Sequence, residues 1–238
     1  MPRTLFILFA LIMIAPAISL AQQGSYVSLS GGVTFLNDST STIEHLSFDD
    51  PFLAGADFGK FTMEEEFKTG FHISGAIGYD FDPFRLEGEL RYTKNKIDKI
   101  LDPVFTAELS ADGSEITLRQ SGSTPRDTTG EFTSTSLLIN AYYDFKNSSI
   151  FTPFVMTGMG LAEITFDDTQ NKMQDTVFAY QAGVGISTLL GEKTVLDLSY
   201  RYFATEDPEF KQNEPYPLPE MENDYKSHNI SLGVRYLF

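Results

Sequence analysis

No cysteine and no tryptophan occur in the 238 residues. Without cysteine there can be no disulfide framework, no thiolate metal centre and no lipid-bearing amino-terminal cysteine, so the fold must be held by its own sheet and core. Basic residues are scarce too: 17 Lys and Arg stand against 33 Asp and Glu, for a formal net charge of −16. A chain that acidic repels nucleic acid, which excludes it as a partner. Beyond Ala21 no apolar run approaches the ~20 residues that a membrane-spanning helix needs. If this chain crosses a membrane, it does so as strands.

The first thing present is an export leader. Arg3 gives a positive start, Leu5 to Ile14 is an unbroken apolar run interrupted beyond it by Pro16, and Ser19-Leu20-Ala21 supplies small residues where a signal peptidase reads. Residues 1–21 are therefore expected to be a signal peptide, leaving 22–238 as one exported β domain.

Period-2 patterning fills most of that remainder. In the terminal stretch Asn229 to Phe238, the residues Ile230, Leu232, Val234, Tyr236 and Phe238 share one face, while Asn229, Ser231, Gly233 and Arg235 share the other. Tyr26 to Leu36 sets Val27, Leu29, Val33 and Phe35 against Ser28, Ser30 and Thr34. Phe67 to Phe81 sets Phe67, Phe71, Ile73, Ile77, Tyr79 and Phe81 against Lys68, His72, Ser74 and Asp80. From Phe84 to Tyr92, Phe84, Leu86, Leu90 and Tyr92 alternate with Arg85, Glu87, Glu89 and Arg91. Phe132 to Phe145, Val177 to Leu190 and Leu196 to Tyr202 alternate as well, which brings the count to eight strands with Phe151 to Ile164. That last stretch is apolar on both faces, and alternation assigns it no phase.

Short and long connections take strict turns along the chain. Short ones fall at Asp82-Pro83, Asn147-Ser148 and Gly191-Glu192; polar long ones run from Asn37 to Glu66, Asn95 to Gly130, Thr165 to Thr176 and Ala204 to Lys226. An even number of strands joined this way is the pattern of an all-β, eight-stranded antiparallel transmembrane β-barrel, with short periplasmic turns and four long extracellular loops. Outward aromatics agree with two interfacial girdles: Phe81, Phe84, Tyr143, Phe145, Tyr236 and Phe238 near the turns, and Phe35, Phe67, Tyr92, Phe178 and Tyr202 near the loops.

Several segments resemble the surface antigen family of major surface proteins of obligate intracellular bacteria, itself similar to the outer membrane protein A type eight-stranded barrel. They are Gly78 to Tyr92, Leu137 to Asp144, Thr152 to Gly160, Phe178 to Ser187 and the terminal strand. The resemblance implies a cell outer-membrane location in a Gram-negative envelope, and three partners: the lipid bilayer, the barrel insertion machinery and host surface molecules. It also implies that Tyr236 and Phe238 are read as an assembly signal.

No catalytic, cofactor-binding or metal residue emerges. His72 and Ser74 resemble the His-x-Ser pair of outer-membrane lipid A deacylases, but both face inward, away from lipid, with no third member. The first loop carries Asp38, Glu44, Asp49, Asp50, Asp57, Glu64, Glu65 and Glu66 without calcium-loop spacing, which reads as a solvated acidic loop. Inward phase instead predicts a lumen charge network of Lys68, Arg85, Glu87, Glu89, Arg91, Asp197, Arg201 and Arg235, because arginine facing lipid costs about 2–4 kcal/mol at the midplane. The function expected is that of a non-enzymatic surface antigen or adhesin-like protein with acidic loops; the alternative is a small porin-like channel.

Overall fold

The computed structural model describes residues 24–37, 39–43, 57–58, 61–109, 116–127, 130–167, 172–208 and 225–238. The expected signal peptide, residues 1–21, lies outside them.

Eight strands close into an antiparallel barrel. They are β1 (Ser25–Leu36), β5 (Gly70–Asp80), β6 (Phe84–Leu109), β8 (Glu131–Asp144), β9 (Phe151–Asp167), β10 (Lys172–Leu189), β11 (Thr194–Thr205) and β12 (Lys226–Leu237). The ladder runs β6-β5-β1-β12-β11-β10-β9-β8, and the pairing of β6 with β8 shuts it. Closure removes every sheet edge at membrane depth, the condition for strands to lie in hydrocarbon. Alternation then sorts the side chains. Leu29, 62% exposed, and Ile139, 70% exposed, stand on the outer wall, whereas Ser74, Glu89, Asn140 and Arg201 on the other phase are buried.

The start of β1 at Ser25, the end of the chain at Phe238 and the three tight turns share one end. Between β5 and β6, Asp82 takes a positive φ of 39° and its N–H donates to the Asp80 carboxylate at 2.9 Å. Between β8 and β9, the Ser149 N–H donates to Asn147 Oδ1 at 2.7 Å, while Asn147 Nδ2 donates to the carbonyls of Phe145 and Phe151.

At the opposite end the strands run well beyond the length that crosses a bilayer. β6 continues for 26 residues, and its outer half pairs with β7 (Ile116–Asp127) from Lys99↔Asp127 to Leu109↔Ile116. β2 (Ser39–Ile43), β4 (Phe61–Phe67) and β3 (Asp57–Phe58) complete a second sheet on this extension, β2 on β4, β4 on β6 and β3 parallel on β7. β9 and β10 likewise stay paired out to Asp167↔Lys172, so most of the stretch expected as a third loop is ladder.

Two expectations are corrected here. β4 and β5 do not form one strand: the backbone leaves the ladder at Lys68 and Thr69, and the register shifts at Glu66/Phe67. The break reverses the phase on its near side, so Phe67 turns away from lipid and packs edge-on against Phe132 at 5.6 Å, beside the buried cluster. Phe67 thus does not belong to the outer girdle. On the turn-side girdle the aromatics form contacting pairs, with ring centroids 5.1 Å apart for Phe84 and Tyr143, 5.0 Å for Tyr143 and Phe145, and 5.7 Å for Tyr236 and Phe238.

Candidate functional site

The interior of the barrel is layered. On the turn side Arg85, 1% exposed, donates Nε and Nη2 to the two oxygens of Asp144 at 2.8 and 2.9 Å, and its guanidinium lies 4.2 Å from the Tyr142 ring centroid. Arg235 donates to Asp197 at 2.6 and 3.1 Å, and Ser187 donates to the same carboxylate at 2.6 Å. These bonds tie β6 to β8, and β12 to β11 and β10. Tyr142, Phe154 and Met156 pack together in the same layer.

Glu87 and Glu89 occupy the middle. Tyr142 and Tyr26 hydroxyls donate to Glu87 at 2.8 and 3.2 Å, from β8 and β1. Glu89 takes both 3.1 Å contacts of Arg201 Nη1, with Asn140 Nδ2 at 2.7 Å and Gln181 Nε2 at 2.9 Å. Gln181 also donates to Asn140 Oδ1 at 2.8 Å. Strands β6, β8, β10 and β11 therefore meet on one carboxylate. Small residues make the room: a Cβ on Gly158 would strike the Asn140 amide, and one on Gly185 would strike the Phe154 ring.

Towards the loops the lumen turns apolar. Ile97, Phe132, Leu138, Ala162, Ile164, Val177, Ala179, Phe203 and Tyr225 form one buried cluster across it. The charged groups expected from alternation fill the middle and the turn side, and towards the loops this apolar cluster sits among uncharged buried groups such as Thr34, Asn95, Thr205 and Asn229. A cavity of about 20 Å³, lined by serines 28, 30, 74, 199 and 231 with the charged groups, has room for roughly one water.

Of the eight residues expected in the lumen, Arg85, Glu87, Glu89, Arg91, Arg201 and Arg235 are buried inside, and Asp197 joins Arg235. Lys68 does not. Its side chain is 58% exposed and pairs with Asp98 at 2.9 Å on the outer surface, because the break before β5 removes it from the inward phase. With Lys68 outside and Asp144 inside, the lumen holds four arginines and four carboxylates. Asp144 lay on the inward phase of its own strand, but only barrel closure brings it to Arg85. Arg91 bonds Thr93 at 3.3 Å and faces the Phe203 ring at 5.7 Å; among the described residues no carboxylate is in ion-pair contact with it.

The histidines separate. His72 is bonded to Ser231 at 2.7 Å, and Ser74 to Ser30 at 2.8 Å, so the His72 and Ser74 side chains take different partners. His228 sits on the outer wall against Tyr200, whose hydroxyl is 2.6 Å from Nδ1. His45 lies outside the described residues, as do Asp38, Glu44, Asp49 and Asp50; for Asp57, Glu64, Glu65 and Glu66 only the backbone is described.

A closed eight-stranded barrel with an apolar outer wall, aromatic girdles, a filled polar lumen and all tight turns at one end defines an outer-membrane β-barrel. The chain belongs to the outer membrane protein β-barrel domain family, whose model matches residues 5–238. It is 25% identical over 234 residues to the outer membrane protein PagN of Salmonella typhimurium, covering 92% of this chain and 91% of that one. It is also 25% identical over 243 residues to the opacity protein opA52 of Neisseria gonorrhoeae, covering 82% and 92%. In fold it is similar to Neisserial surface protein A, at 18% identity and a TM-score of 0.50 over 90% of this chain and 97% of that one. OprG of Pseudomonas aeruginosa gives 14% and 0.52, covering 91% and 97%. The protein is a resident of the cell outer membrane.

Proposed function

We propose that this barrel is a surface-display protein of the antigen and adhesin type, whose acidic loops contact host or other partner molecules outside the cell. The observation that carries the reading is β6. A tilted strand crosses a bilayer in about 9–11 residues, so from Phe84 the crossing ends near Tyr92 to Lys94, and the remainder of its 26 residues stands beyond the membrane. That projection joins β7, β4, β2 and β3 into an external sheet. Family relatives with outer-membrane and opacity names support the same display role.

The lumen supports display over conduction. Four arginines, their carboxylates and an apolar cap fill the space that a porin would leave to water. A non-adherent Gram-negative strain expressing the chain should bind epithelial monolayers above its empty-vector level. Replacing Glu64, Glu65, Glu66, Glu214, Glu220 and Glu222 by Gln should remove most of that gain. Equal binding by vector, wild type and variant would refute the adhesive reading.

A further inference from the structure

Around its loop-side rim the lipid-facing wall is uneven in charge. On β6 the outward positions beyond Leu90 read Tyr92, Lys94 and Lys96, with Lys94 in register with Phe71 and Lys96 with Glu131. Lys68 joins them, since its backbone N–H donates to the Lys96 carbonyl at 2.9 Å. Three lysines thus converge on one flank of the barrel. Two are held by exposed or half-exposed carboxylates: Lys68 by Asp98 at 2.9 Å and Lys94 by Glu131 at 2.7 Å. Followed through the registers Tyr92↔Thr135↔Glu163, the matching level on β9 carries an acid instead.

The aromatics below fix the height of this flank. Phe71 and Tyr92 are outward, exposed and 6.3 Å apart, which marks the boundary between hydrocarbon and headgroups. Lys94 and Lys96 follow Tyr92 by two and four residues along the strand. At ~3.3 Å per residue and a tilt of ~40°, they stand about 5 and 10 Å above it. That is headgroup depth.

We propose that Lys68, Lys94 and Lys96 form a binding site for the phosphate of an anionic lipid in the outer leaflet, its acyl chains lying along Phe71, Ile73 and Leu90. The chemistry is complementary: compact ammonium groups on long stems suit a phosphate as point charges, and the stems can swing while their methylenes stay against apolar surface. The charge distribution points the same way. In a chain of net charge −16, three lysines gather on the surface that meets lipid. Asp98 and Glu131 hold two of them when no phosphate is present.

The test uses the full chain refolded in mixed micelles, with native mass spectrometry of the lipid retained. Phosphorylated lipid A is one probe, its dephosphorylated form the second, and millimolar inorganic phosphate a competitor. Wild type should retain one phosphorylated lipid and little of the dephosphorylated one. At about a tenfold loss or more for removed surface cations, the Lys68→Gln, Lys94→Gln, Lys96→Gln variant should lose retention. Lys94→Arg with Lys96→Arg should keep it, which controls for folding together with the heat-induced shift in electrophoretic mobility. Equal retention of both lipids, or unchanged retention in the triple glutamine variant, would overturn the site. Displacement by inorganic phosphate alone would reassign it to free phosphate and overturn the lipid source.

Discussion

Asp144 and Asp82 carry the same chemical group in opposite settings. Asp144 holds the buried Arg85 through two contacts, so Asp144→Ala leaves a guanidinium in the lumen with no counter-charge. The expected cost is about 3–5 kcal/mol, read as a lower urea midpoint in detergent micelles. Asp82 pairs with Lys146 at 2.7 Å between two turns, at 66% and 59% exposure, so Asp82→Ala should cost about 0–1 kcal/mol. Equal losses in the two variants would show that burial does not set the scale. At Glu89 the alternation places the carboxylate correctly in the lumen, and its ion-pair partner is Arg201 at 3.1 Å rather than the neighbouring Arg85 or Arg91 of its own strand. No sequence signal could name that partner, because it lies 112 positions away and is set by the closure of the barrel. Glu89→Ala should accordingly destabilise by orphaning Arg201 and taking one acceptor each from Asn140 and Gln181, and a double variant with Arg201→Met should recover part of the lost midpoint. A double variant no better than the single one would sink that account.

Among the strands, legibility followed the contrast between the two faces. β12 and the membrane part of β6 read cleanly because charges or small polar groups alternate with apolar ones, and lipid tolerates only one phase. β9 did not, and its burial explains why. Phe154, Met156, Ala162 and Ile164 point inward while Val155, Met159 and Leu161 point to lipid, so both faces are apolar by construction. The overhanging ladders were half legible: the Phe105, Ala107, Leu109 and Ile116, Leu118 pattern around Asp112-Gly113 predicts a hairpin, and β6 and β7 pair across it, although the turn at 110–115 lies outside the described residues. Proteinase K added to intact cells should cut this segment mainly at 110–115, since paired strands resist the extended conformation a protease requires. Cleavage spread evenly from Val104 to Gln120 would contradict the ladder. The closing strand carries a separate expectation. Phe238 donates its N–H to the Ser25 carbonyl at 3.1 Å and shares the exposed outer wall with Tyr236. If the insertion machinery reads this aromatic end, deleting Phe238 should lower the heat-modifiable barrel and raise periplasmic degradation, and normal barrel levels would rule that role out.

For the whole molecule, the question is whether a closed barrel of eight strands conducts. Its mean radius leaves space only for side chains, and here that space is occupied at every level. Turn-side arginines are clamped by Asp144 and Asp197, the middle is cross-linked from β6 to β11 through Glu89 and Arg201, and nine buried apolar residues cap the loop side. A hydrated ion would have to shed much of its water among the apolar side chains of the cap before meeting the buried charges of the middle. The two obstacles are independent. Loosening the salt bridges alone leaves the cap shut, and trimming the cap alone leaves the ion pairs across the middle. The purified protein in a planar bilayer should therefore show no large, stable conductance steps. Phe132→Ala with Phe203→Ala should stay closed too, and adding Arg201→Ala with Glu89→Ala should bring measurable steps. Large, persistent steps from the unmodified protein would refute the sealed lumen and establish the small-channel alternative.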